Sequence, residues 1–203
     1  QHELAIAYVC NNQNKEAIAL LEHVTKVHSL TLPDENNNPA SQAVLAKANA
    51  GNGQLKKAII LLENVVMIHK KKLPEESESR LVVQHMLAQA YLDNGQVKEA
   101  ITLLEHNVIK VEERILLEHH PERLSSNYAL ALAYLKNSQP KEAISFLENV
   151  VKIEGNTLPE HDHIRISSQH LLAQAYRQNN QQHKSIAVLN RITVELVQDM
   201  TVH

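Results

Sequence analysis

The stretch Leu87-Ala88-Gln89-Ala90-Tyr91, Asp93-Asn94-Gly95-Gln96 and Lys98-Glu99-Ala100-Ile101-Thr102-Leu103-Leu104-Glu105 carries two helical apolar patterns around a polar break. Leu87, Ala90, Tyr91 and Asn94 fall on one helical face, and Ala100, Leu103, Leu104 and Val108 on a second. Asn and Gly between them are residues that end a helix in the left-handed conformation. The stretch therefore predicts helix, tight turn, helix. One such pair cannot bury its own apolar face and needs a neighbour to stack on.

The neighbours are present. The first pattern recurs as Leu4-Ala5-Ile6-Ala7-Tyr8, Leu45-Ala46-Lys47-Ala48-Asn49, Leu130-Ala131-Leu132-Ala133-Tyr134 and Leu172-Ala173-Gln174-Ala175-Tyr176. Its fifth position falls at 8, 49, 91, 134 and 176, at steps of 41, 42, 43 and 42 residues. The second pattern returns as Lys15-Glu16-Ala17-Ile18 and Lys141-Glu142-Ala143-Ile144. Polar breaks separate the patterns, and Leu32-Pro33, Leu73-Pro74 and Leu158-Pro159 close three of the units; Leu116-Leu117 with Pro121 closes another. The sequence thus predicts an all-α fold, an alpha-alpha superhelix of about five helix-turn-helix repeats of about 42 residues. First helices are expected near 2–10, 41–50, 78–93, 122–136 and 162–178, and second helices near 14–30, 55–71, 97–114, 140–153 and 181–199. One domain, 1–203, is expected, with repeats near 1–40, 41–82, 83–124, 125–166 and 167–203. The opening at Gln1 without a Met suggests a fragment of a longer protein.

Side-chain size gives the positions mechanical meaning. Ala5, Ala46, Ala88, Ala131 and Ala173 let the second helix of each pair approach, and Ala17, Ala58, Ala100 and Ala143 admit the next unit. Tyrosines fill the gap between pairs, with four of the chain's five at that one repeat position. Asn107 is an insertion when Glu105-His106-Asn107-Val108 is set against Glu22-His23-Val24 and Glu63-Asn64-Val65. An extra residue inside a helix is absorbed as a π-bulge or kink.

Composition narrows the functions. Aromatic residues make up 3% and there are only four Gly, which argues against an all-β domain. Net charge is −3 with no basic block, so nucleic acid and anionic membrane are not expected partners. The lone Cys10 forms no internal disulfide, and there is no apolar run near eighteen residues, so a reducing, cytoplasmic setting is expected. No Gly-rich phosphate loop or serine-nucleophile elbow is present. His119-His120, His161-x-His163 and His2/His85/His170 are the metal candidates, but structural zinc normally takes four closed ligands, usually with Cys. No metal, cofactor or catalytic residue is expected.

These residues resemble a tetratricopeptide repeat: the Leu-x-x-x-Tyr, Ala and large apolar positions map onto Leu87, Tyr91, Ala100 and Leu104. The usual period is about 34 residues; the longer unit here, with Leu-Pro-Glu after the second helix, is similar to the kinesin light chain type. Gln1-His2-Glu3-Leu4-Ala5 and Ala88 through Ala100 resemble the C-terminal repeats of fungal NOD-like receptors. Departures are Asn49 for Tyr, Lys57 and Lys184 for Glu, and Ser185 for Ala, which put the tightness of the second and last units in question. A HEAT-type array overlaps in period but does not account for the Leu-Ala-x-x-Tyr to Ala spacing.

The resemblance implies a non-catalytic scaffold whose first helices line a groove holding a peptide or protein segment. By repeat position the groove residues are His85, Gln89, Leu92, Tyr128, Leu132, Leu135, His170, Gln174 and Arg177. That lining suits apolar anchors and amide hydrogen bonds. The alternative is a structural solenoid that self-associates through its terminal helices.

Overall fold

The computed structural model describes residues 2–31 and 38–201, and their side chains outside 24–31 and 195–201. The Leu32-Pro33 break lies outside the described residues. The regular structure among those described is all helical, with no strand. In order they form α1 (His2–Cys10), α2 (Asn14–Thr31), α3 (Pro39–Gly51), α4 (Leu55–Lys72) and α5 (Glu78–Asp93). Then follow α6 (Val97–Leu103), a π-helical segment (Leu104–Ile109), α7 (Lys110–Ile115), α8 (Pro121–Lys136), α9 (Pro140–Thr157), α10 (His163–Gln178) and α11 (Gln182–Thr201). The expected all-α class and helix pattern are those observed.

Each hairpin turn is closed the same way. Asn12, Gly53, Gly95, Ser138 and Asn180 have positive φ, between 56° and 79°. The Gln after each sends its backbone N–H back to the carbonyl at the Tyr position, as from Gln96 to Tyr91 and from Gln139 to Tyr134, both at 2.8 Å. This six-to-one bond satisfies carbonyls left open at the helix end. Three of the first helices, α3, α8 and α10, open on side-chain caps. The Asp162 carboxylate accepts from the Ile164 N–H at 2.8 Å, the Asn38 side-chain oxygen accepts from Ala40 at 3.0 Å, and His120 precedes Pro121 in the first turn of α8.

Asn107 falls inside the π-helical segment. The next unit spaces its buried Leu147 and Val150 three residues apart, whereas here Leu104 and Val108 are four apart, and all four are fully buried. The wide turn absorbs the additional residue, so both apolar side chains still point inward. A regular α-turn would rotate everything after it by about 100°.

The chain divides into two compact units, Gln1–Gln96 and Val97–His203. In the first, α1 packs with α2, α3 with α4, and α4 with α5. Ala46 and Ala58 are fully buried there, and Leu62 and Val65 fill the remaining space. In the second, α8 packs on α6 and the π-helical segment, then α8 with α9, α9 with α10 and α10 with α11. Ala131 and Ala143 are fully buried, as are Leu130, Leu147 and Val150. Burying one such Leu contributes about 2 kcal/mol. The fourth unit's second helix runs to Thr157, four residues past the expected end, because Gly155 continues the helix and Glu154 is drawn into the core.

Candidate functional site: a cleft on α8, α10 and α11

Four of the nine predicted groove residues line one cleft of about 480 Å³ in the second unit. Tyr128 comes from α8, and His170, Gln174 and Arg177 from α10. These three lie at i, i+4 and i+7, which places them along one face of α10. His170, Gln174 and Arg177 are exposed and Tyr128 is half-buried. Leu171 and Ala173 form the buried floor. The far wall is α11, through Ser185 and Leu189. The cleft thus combines a phenol, an imidazole, an amide and a guanidinium with an apolar floor and one apolar wall. Its acceptors and donors can fix a backbone while Leu189 and Leu171 receive an apolar side chain.

Burial, and next the charge of Glu154, push the Tyr128 hydroxyl pKa above its ordinary value, so it stays a neutral donor and acceptor. Ser185 holds its shape by donating from Oγ to the Ala173 carbonyl at 2.8 Å. The hydroxyl that replaces the repeat's usual Ala is therefore satisfied inside the α10–α11 contact and does not loosen it. Lys184 sits 5.1 Å over the Tyr176 ring. Asn49, which replaces Tyr, is buried and donates to the Leu45 carbonyl of its own helix at 2.8 Å.

The other predicted residues are placed differently. Leu92 and Leu135 are buried in the core and offer no surface to a ligand. They stand one turn after the groove positions, where each helix turns its face toward its own packing layer, and the expectation that they line a groove is corrected. Leu132 is half-buried on α8 and lies outside the cleft lining. In the first unit, Gln89 is exposed and donates to Asp93 Oδ1 at 2.8 Å, and His85 is half-buried. Ser167, Ser185 and Leu189 were not anticipated. A lining restricted to the groove-facing positions of first helices leaves out a wall from α11.

Two contacts recur within both units. The Tyr91 hydroxyl donates to Glu63 at 2.7 Å and that of Tyr176 to Glu148 at 2.6 Å, and Tyr134 donates to Glu105. Each bond ties a first helix to the preceding second helix. Arg80, Arg123 and Arg165 donate to the Leu73, Leu116 and Leu158 carbonyls at 3.4, 3.1 and 3.2 Å, clasping the loop that precedes their own helix. Among the described residues no group of three or more His, Cys, Asp or Glu is placed to hold a metal ion. No helix there is long and apolar enough to cross a membrane.

Stacked helical hairpins with a Tyr–Glu tie and a three-residue turn define a helix-pair repeat protein. Residues 79–154 match the family model for the tetratricopeptide repeat. The solved TPR-like repeats of a Podospora anserina protein assigned as a kinesin light chain, nearly identical to one another, share 42% identity. They match over 98% of this chain and 94% of that one, with a TM-score of 0.84. A point variant of the same repeats matches at 0.85, over 99% and 95%. BtubC from P. vanneervenii shares the fold at 17% identity, with a TM-score of 0.81 over 98% of this chain and 80% of its own. No curated protein matches the sequence. The chain belongs to the tetratricopeptide repeat family, in its kinesin light chain-like form.

Proposed function

We propose that this chain is a non-catalytic, cytoplasmic interaction module, a single solenoid over 1–203, that holds a peptide or protein segment in the α8–α10–α11 cleft. The observation that carries this reading is the convergence of Tyr128, His170, Gln174 and Arg177 on one concave surface with an apolar floor. Aromatic and Arg side chains of this kind are the usual anchors of binding energy. The repeat phrases at 1–5 and 88–100 extend the proposal to a sensor arm of a NOD-like receptor. Leu132, on α8 of the same unit, is proposed to contribute a secondary contact.

The test is binding of peptides selected from a random library on the native chain. Tyr128→Ala and Arg177→Ala are each expected to weaken binding about tenfold or more. His170→Ala and Gln174→Ala are expected to weaken it less. Affinity unchanged within twofold in all four variants ends the cleft reading.

A second reading, self-association through the terminal helices, is favoured by a specific contrast. Ile186 and Leu189 on α11 are 56% and 39% exposed, whereas Ile144 and Leu147, at the same repeat positions on α9, are 9% and 0% exposed. On α1, Leu4 is likewise exposed at the position where Leu130 and Leu172 are buried. Light scattering that rises with protein concentration, and stops rising in Ile186→Glu, supports this reading; a strict monomer removes it.

A further inference from the structure

Beneath the cleft lies a carboxyl group that peptide binding does not use. Glu154, near the C-terminal end of α9, is only 2% exposed. It takes a hydrogen bond from the Ser168 hydroxyl of α10, and its Oε2 is buried without a partner. Ser168 is itself buried, and it stands two residues before His170 and three before Leu171. Gln169, between them, is buried with its Oε1 unpartnered. Glu154 therefore contacts α10 where that helix begins to form the cleft.

The groups facing it are few. From α10 and its cap come Arg165, whose guanidinium donates to the Leu158 carbonyl, and Asp162. From α8 comes the Tyr128 phenol, on which the charge of Glu154 acts. Asp162 disfavours a carboxylate at Glu154, and Arg165 and Ser168 favour one. Burial outweighs them all, and the carboxyl is pushed up to about 7. Glu112 repeats the arrangement one unit earlier: it accepts from Ser126 Oγ at 2.9 Å, faces Glu122 and Arg123, and is likewise pushed up to about 7.

We propose that Glu154 is a proton-operated latch of the cleft: with its proton it seals α10 onto α9, and without it the carboxylate draws in water and loosens the α10 wall. This deepens the cleft reading, on which its functional meaning rests, by assigning that site a regulation. A buried carboxylate with a single hydroxyl donor and one bare oxygen is costly to keep dry. The least expensive relief is to open the α9–α10 contact at Ser168. That motion shifts His170 and its neighbours relative to Tyr128. A cleft built at slightly acid pH would thus soften as pH rises through neutrality.

The experiment uses the full chain and needs no ligand. Ring-13C tyrosine NMR follows Tyr128, assigned by Tyr128→Phe, from pH 5.5 to 8.5, with hydrogen exchange of the α10 amides measured alongside. The expected result is a Tyr128 resonance that titrates with a midpoint near 7, as the carboxyl does. Exchange in α10, corrected for its intrinsic pH dependence, should be about tenfold faster at the alkaline end. Glu154→Gln, which keeps the acceptor for Ser168 and cannot ionise, should abolish both; Glu112→Gln should leave both in place. Ser168→Ala, which removes a bond favouring the charged form, should move the midpoint upward and serves if Glu154→Gln does not fold. A Tyr128 signal that does not titrate, or one that titrates equally in Glu154→Gln, overturns the latch. Neither outcome depends on whether a peptide binds, so this result and the failure of the cleft as a binding site are read separately.

Discussion

The junction between α4 and α5 in the first unit and that between α9 and α10 in the second are built on the same plan but carry different chemistry. Both have the Leu-Pro loop clasped by an Arg seven residues on, at Leu73 and Arg80 or Leu158 and Arg165. Both have the Tyr–Glu tie, at Tyr91 and Glu63 or Tyr176 and Glu148. At the repeat positions where the second unit has Glu154 and Ser168, however, the first has half-buried His69 and buried Val83. The junction between α7 and α8 sides with the second, through Glu112 and Ser126. Size and turn geometry thus fix the repeat, while the polar group inside each junction is free to vary. Response to pH is consequently a property of single junctions and not of the fold.

The largest way to sharpen this contrast is Glu112→Gln together with Glu154→Gln. Below about pH 4.5 both folded and unfolded chains hold these protons, and neither residue affects stability through ionisation. Between there and about pH 7 the unfolded chain releases them and the folded chain retains them, so the folded state loses stability as pH rises. Above that window the loss is complete, on the order of 3 kcal/mol for each carboxyl. The double variant is expected to gain most of that back at pH 8 and little at pH 4.5, read as shifts in urea midpoint.

A smaller effect is expected where the two units agree. Tyr91→Phe and Tyr176→Phe each remove one hydroxyl bond to a carboxylate and should cost about 1 kcal/mol, by a similar amount in both units. A cost confined to one of them would mean that only one tie is energetically significant.

The smallest effects separate the units at backbone level. Gly53 and Gly95 supply the left-handed residue in two turns of the first unit, and Ser138 supplies one in the second. Ser138→Gly should stabilise by up to about 1 kcal/mol, since Gly adopts that conformation without a Cβ clash. Gly155→Ala should add about 0.5–1 kcal/mol, because the position is helical and a Cβ there would meet nothing within 4 Å. Thermal melting resolves both.

Much of this molecule was legible in its residues. The turns could be read from Asn and Gly after each Tyr position, and the wide turn at Asn107 from a simple count against the other units. The end of α9 could not, because Gly155 suggests a stop and the burial of Glu154 overrides it. Tyr128, His170, Gln174 and Arg177 could be placed together from repeat position alone. Leu92 and Leu135 could not be told from surface residues, since periodicity gives a face and not the depth to which a neighbour covers it. The Arg clasps and the Tyr–Glu ties were missed although their residues recur at fixed steps. The signal was the Glu after the buried Leu at Glu63, Glu105 and Glu148, which recurs at the repeat step.

The most direct test of the account is hydrogen exchange of the native chain with and without a library-selected peptide. The account predicts slowed exchange concentrated in 121–136 and 163–178, with α11 near Ser185 and Leu189 protected as well. Protection confined to 2–72, or none at saturating peptide, would contradict it.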